Sequence, residues 1–183
     1  GLFWAAGEVL WAVSELGTGS VPFPWWTDVA YLGFYAVMLV ALVVFFRPSL
    51  RAVGVQALLD GALAVAAVAL LWWWLVLADV EIGLDLASLV GLGYPVLGLL
   101  LLGVIAMTPL VSARRGTASG WLVAAGVAAG AIADGVYAGL VLRDGYVSGM
   151  WVDLGWQAEA SLIAAAAALS GPGGAAQADW AQR

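Results

Sequence analysis

The chain has no cysteine, no histidine and no lysine among its 183 residues, and only 10% of them are charged. Without Cys and His there can be no disulfide, no thiolate or imidazole metal site, and neither Ser-His-Asp nor Cys-His catalysis. Without Lys there is no Schiff base, so covalent retinal and Lys nucleophiles are excluded too. All six basic residues are Arg, against twelve acids, for a net charge of -6. An acidic chain of this kind is not expected to bind nucleic acid. No metal or cofactor set is recognisable, and no catalytic constellation, so an enzyme is not expected.

What is present is apolar. Hydrophobic residues make up 64% of the chain, and the mean hydropathy is +1.03. Both lie outside the range of soluble domains and make the bilayer the expected solvent. A spanning helix needs roughly 20 mostly apolar residues. Five stretches reach that length: Asp28 to Phe46, Val53 to Leu77, Leu86 to Thr108, Ser119 to Leu142 and Val152 to Ser170. A sixth, Leu2 to Leu16, is shorter and is expected to be a span, with its first turns expected upstream of Gly1. It has no basic leader and carries Glu8 and Glu15, which argues against a cleavable signal peptide. The expected fold is all-α, a polytopic transmembrane bundle over residues 1–170, followed by a Gly/Ala-rich cytoplasmic tail or linker over residues 171–183.

The connectors are short and rich in Gly, Pro and polar residues. Arg47, Arg51, Arg114, Arg115 and Arg183 fall on one side of the expected membrane and Arg143 on the other. The positive-inside rule then places the five-Arg side and both termini in the cytoplasm, in a plasma or inner membrane. Trp25, Trp26, Trp72, Trp73, Trp74, Trp151 and Trp156, with Tyr146, gather at the opposite ends. They read either as membrane-interface anchors or as the wall of an outward-facing aromatic pocket.

A weak repeat runs through the spans. Each unit has an acid in an outward-running helix, a loop, and an Asp opening the returning helix: Glu8 and Asp28, Asp60 and Asp85, Asp134 and Asp153. Three two-helix hairpins are expected. The returning Asp has a ready role as a helix cap. Acids inside spans are another matter, because a charge at the bilayer centre costs several kcal/mol, about 2.5–3.5 on insertion scales, and is usually turned inward and partnered.

Glu8, Trp11 and Glu15 share one helix face. Gly126, Gly130, Asp134 and Tyr137 share another, with Gly126 and Gly130 forming a GxxxG that admits a neighbouring backbone. Asp153, Trp156 and Glu159 lie on one side of the last helix. With no intramembrane base, these carboxyls are expected to stay protonated or to take hydrogen bonds from Trp, Tyr, Ser and backbone groups. Glu8, Trp11, Glu15, Asp28, Asp134, Tyr137, Trp156 and Glu159 are the candidate ligand-binding residues. A purely structural polar network remains open beside a ligand pocket, and a proton or cation path ranks behind both. Pro95 is expected to interrupt the fourth span, as a packing device or a hinge.

Taken together, Pro24-Trp25-Trp26-Thr27-Asp28-Val29-Ala30-Tyr31-Leu32-Gly33-Phe34-Tyr35, Leu59-Asp60-Gly61, Gly93-Tyr94-Pro95, Ala133-Asp134-Gly135-Val136-Tyr137 and Asp153-Leu154-Gly155-Trp156 resemble the membrane-embedded N-terminal sensory regions of bacterial, especially actinobacterial, GGDEF and EAL proteins. The resemblance implies a signal-input module that relays to a cytoplasmic catalytic domain acting on cyclic di-GMP. No GGDEF-like or EAL-like segment occurs in these residues, so neither activity is expected of them. The expected function is a membrane sensor whose outer aromatic and acidic pocket takes a small or lipid-like ligand. The alternative is an accessory subunit of a larger membrane complex, in contact with lipid and partner subunits.

Overall fold

The computed structural model describes residues 1–50, 54–80, 82–107 and 118–170. Arg51, Arg114, Arg115, Arg183 and the expected tail over residues 171–183 lie outside the described residues. Six α-helices follow one another: α1 (Leu2–Thr18), α2 (Trp26–Leu50), α3 (Val55–Trp72), α4 (Leu86–Met107), α5 (Ala118–Val141) and α6 (Asp153–Ser170). No strand occurs among the described residues. The chain is all-α.

Four helical segments are long and apolar enough to cross a membrane: Trp26–Val44, Leu58–Leu77, Leu86–Ala106 and Ala118–Val141. Burial is inverted relative to a protein folded in water. Asp28, Ser88, Asp134 and Glu159 are buried, whereas Val40, Val44, Leu63 and Leu70 are more than half exposed. Only an apolar surrounding makes that arrangement favourable, since there the exposed Val and Leu cost nothing and the polar groups must find partners inside. The chain has the build of a membrane protein. The remaining two helices fall short of the spanning criterion: α1 has 17 residues, and α6 carries Asp153, Gln157 and Glu159.

Consecutive helices pack in pairs, α1 with α2, α3 with α4 and α5 with α6, and α4 joins the pairs by packing on both α2 and α5. The helix ends have specific chemistry. Gly19, at φ 77°, closes α1 by donating its N–H to the Glu15 carbonyl at 2.8 Å, a left-handed cap that suits glycine. Helix α3 runs on into a π-helical turn over Trp73–Leu77. The Arg143 guanidinium satisfies a carbonyl released there, donating to Val76 O at 2.6 Å and to Gly139 O at 2.9 Å. It thereby ties the ends of α3 and α5 together. At the start of α4, the Asp85 carboxyl accepts the Ser88 N–H at 2.9 Å and its hydroxyl at 3.0 Å. These bonds hold the exposed Asp85 carboxyl below the ordinary carboxylate range.

Pro95 sits inside the continuous helix α4, where its ring leaves a carbonyl of the preceding turn without its intrahelical N–H. Gly93 and Tyr94 just before it turn toward α2, with Tyr94 in the buried core beside Tyr35 and Tyr137.

The tightest approach is between α5 and α6. A Cβ at Gly126 would lie 3.2 Å from the Glu159 carbonyl oxygen, and one at Gly155 would lie 2.6 Å from the Ala133 Cβ and 3.2 Å from the Ala129 carbonyl. Neither Ala133 Cβ nor a backbone carbonyl can rotate away, so the two helix backbones must separate. Gly155→Ala is expected to destabilise the fold by about 1–3 kcal/mol. Gly17→Ala, where a Cβ meets nothing within 4 Å, is expected to be neutral or to stabilise by up to about 1 kcal/mol. Unfolding of the two variants in mixed detergent micelles measures the difference.

Candidate functional site

Five helices converge on one cavity of about 140 Å³. Helix α1 contributes Trp4, Glu8 and Trp11; α2 contributes Asp28, Tyr31, Phe34 and Tyr35; α4 contributes Tyr94; α5 contributes Asp134 and Tyr137; α6 contributes Asp153, Trp156, Gln157 and Glu159. The loop between α5 and α6 adds Tyr146 and the exposed Ser148. All five tyrosines of the chain line this space, together with five of its twelve acids and, among the described residues, no Arg.

The carboxyls are held by neutral donors. Asp134, 1% exposed, accepts the Tyr35 hydroxyl on one oxygen and the Trp156 indole N–H at 2.9 Å on the other. Asp28 accepts the Tyr94 hydroxyl at 2.6 Å and the Trp25 backbone N–H at 2.6 Å. Asp153 accepts the Tyr146 hydroxyl at 2.9 Å and the Gly149 N–H at 2.7 Å. Glu8 accepts the Tyr31 hydroxyl at 3.1 Å. The helix-opening acids Asp28 and Asp153 thus serve twice, binding a backbone N–H near their own helix start and a tyrosine of the cavity wall. Burial and the bond to Asp153 push the Tyr146 phenol, in the α5–α6 loop, well above its ordinary range. It is therefore a donor at any physiological pH.

Glu159 differs from the others. It is 4% exposed and lines the cavity, yet its carboxyl accepts no hydrogen bond among the described residues. Its side chain lies where a Cβ on Gly130 would stand. Glycine at position 130 is what lets the carboxyl sit between α5 and α6. The GxxxG therefore admits the α6 backbone at Gly126 and the Glu159 side chain at Gly130.

The rings form a continuous edge-to-face wall. Trp11 meets Tyr146 at 5.9 Å, Tyr146 meets Tyr137 at 4.9 Å, Tyr137 meets Trp156 at 5.3 Å and Tyr94 at 5.7 Å, and Tyr94 meets Tyr35 at 6.2 Å. Each contact orients the next ring, and together they add cohesion beyond area burial, about 0.5–1.5 kcal/mol per pair.

Of the residues singled out in the sequence, Glu8, Trp11, Asp28, Asp134, Tyr137, Trp156 and Glu159 come together in this cavity. Glu15 does not line it. It stands at the exposed rim, where the Ser148 hydroxyl reaches it at 3.4 Å. Trp73, Trp74 and Trp151 point outward, so Trp156 alone among the tryptophans at those ends enters the site. Tyr31, Tyr35 and Tyr94 were not among the sequence candidates. Asp28, Tyr31 and Tyr35 follow i, i+3, i+7 spacing on α2, a one-face signal available in the sequence.

A double-mutant cycle of Tyr35→Phe and Asp134→Asn is expected to give a coupling of about 0.5–2 kcal/mol in detergent unfolding, the scale of interhelical hydrogen bonds in membranes. A coupling of zero would remove this bond from the network that holds α2 to α5.

The chain's own geometry carries the functional reading, because no family model matches it and searches of curated proteins and of solved structures find no match.

Proposed function

We propose that the chain is a membrane signal-input module whose aromatic and acidic cavity receives a small or lipid-like ligand from the outer side and relays its occupancy to a cytoplasmic partner or downstream domain. The single observation that carries this reading is the cavity itself. Its wall is contributed by five helices, so whatever fills it acts on α1, α2, α4, α5 and α6 at once. A ligand with different affinities for two arrangements of those helices shifts their balance, and that is the minimum a relay requires. The output suggested by the sequence likeness is cyclic di-GMP turnover.

The same reading has all six helices crossing the plasma membrane as three hairpins, with both termini in the cytoplasm. Pairwise packing of α1 with α2, α3 with α4 and α5 with α6 supports the hairpins. The absence of cysteine makes the orientation easy to test. Ser148→Cys, in the loop at the cavity rim, is expected to react with a membrane-impermeant maleimide in intact cells. Gly54→Cys, an exposed position where a Cβ meets nothing within 4 Å, is expected to react only after permeabilisation. The opposite labelling pattern inverts the topology.

The functional test uses the native cell. Asp134→Asn and Glu159→Gln, introduced at the chromosomal locus and present at wild-type abundance, are expected to change the cellular cyclic di-GMP level and its response to growth conditions. Wild-type levels and responses in both would sink the signalling role. Recovery of the protein in a complex of fixed stoichiometry, with no such response, would instead make it an accessory subunit.

A further inference from the structure

The cavity's charge and its rings together define a ligand class. Five carboxyl residues line it and, among the described residues, no Arg does, and the chain has no Lys. Arg143, one of the two arginines among the described residues, is spent on the carbonyls of Val76 and Gly139. The donors that hold Asp28, Asp134 and Asp153 are hydroxyls, an indole and backbone N–H groups, none of which carries a charge. Both oxygens of each of these three carboxyls are already occupied. Glu8 has one oxygen held by the Tyr31 hydroxyl, and Glu159 is the one of the five that is buried, faces the cavity and has no hydrogen-bond donor among the described residues.

A group that completes this site brings positive charge to Glu159 and an apolar, polarisable surface to the rings. An inorganic metal ion does neither well, and no set of three acidic side chains placed to hold a metal occurs among the described residues. An organic ammonium does both, because aromatic faces attract such cations through their quadrupoles and do so most strongly when water is excluded. The cavity, about 140 Å³, is smaller than the roughly 300–1,000 Å³ of drug-sized pockets, and therefore suits a head group.

We propose that this cavity binds a small organic ammonium group, seated on the Glu159 carboxyl and enclosed by the rings of Trp11, Tyr31, Tyr137 and Trp156. The inference rests on the reading of the cavity as the receiving site and names what it receives. The ammonium can be a free solute or the head group of an amphiphile, and the two share the same contacts.

The test is calorimetry on the purified full chain in a neutral maltoside detergent. Choline is the free probe, dodecyltrimethylammonium the amphiphilic one, and 3,3-dimethylbutan-1-ol the uncharged isostere of choline. Choline is expected to bind at least about tenfold more tightly than the isostere. Glu159→Gln and Trp11→Leu are each expected to weaken it by about tenfold or more. Trp11 is only partly buried and, among the described residues, makes no hydrogen bond to a cavity carboxyl, so its variant keeps the test open should Glu159→Gln fail to fold. Tighter binding of dodecyltrimethylammonium, with displacement of choline, assigns the site to a head group reached from the bilayer. Binding of choline alone assigns it to a free solute.

Equal binding of the isostere, or choline binding that neither variant weakens, overturns the ammonium assignment. No binding of either cation does the same. These failures are distinct from failure of the signalling role: choline bound tightly with cyclic di-GMP unchanged in the cavity variants removes the relay and keeps the ligand, and the converse keeps the relay and removes the ammonium.

Discussion

The constraint on which the rest of this structure depends is the burial of carboxyl groups in a helix bundle where, among the described residues, no basic side chain pairs with them. Water cannot help at the centre of such a bundle, and an unpartnered charge there is costly. Asp134 shows the solution. Tyr35 from α2 and Trp156 from α6 donate to its two oxygens, so one side chain on α5 fixes the position of both neighbours. Asp28 does likewise for α4 through Tyr94, and Glu8 for α2 through Tyr31. Each bond joins a carboxylate of one helix to a ring of another. Satisfying the acids and assembling the bundle are the same event.

The small residues follow from that constraint. For the Trp156 indole to reach Asp134 and for Glu159 to enter the cavity, α6 must lie close against α5. Gly126 and Gly155 provide the space, one beneath the α6 backbone and the other against Ala129 and Ala133. In a membrane no hydrophobic force drives helices together, and close backbone approach supplies the packing that replaces it. The buried face of α5 is accordingly built of Gly126, Val127, Gly130, Ala133, Asp134, Gly135, Tyr137, Ala138 and Gly139, mostly small residues around one acid and one ring.

Much of this was legible before any coordinates. Apolar runs of spanning length mark α2 to α5 to within a few residues, because hydropathy and length are properties of the chain itself. Asp134 and Glu159 stood out because acids inside apolar runs are rare and must be accounted for. Tyr31, Tyr35 and Tyr94 were harder to see, since a tyrosine in a span is as much at home in a core or at an interface as in a site. Only their distances to Asp28, Asp134 and Glu8 separate the roles. Glu15 is the converse case. Seven residues beyond Glu8 it keeps the same helix face, but it sits near the C-terminal end of α1 and so reaches the rim, at Ser148, instead of the cavity. Helical spacing fixes the direction of a side chain and says nothing of its depth. The π-helical turn at Trp73–Leu77 had no local sequence signal. Its Val76 carbonyl is met by Arg143, 67 positions later in the chain.

The three acid pairs of the sequence repeat are not equal in the folded molecule. Glu8 with Asp28, and Asp134 with Asp153, face the cavity, while Asp85 caps α4 and Asp60 lies exposed on α3. The middle pair of helices contributes a single side chain, Tyr94, and its other helix leans on α4 and, at its end, on α5. The cavity lies between α1 and α2 on one side and α5 and α6 on the other, with α4 as the partition that packs against both α2 and α5. Tyr94 stands at that partition. Its hydroxyl binds Asp28 of α2 while its ring meets Tyr137 of α5, so a shift of either helix is felt at the same side chain. This gives Pro95, the next residue in α4, a position of consequence: the helix is short of one backbone bond beside the ring that touches both halves of the site.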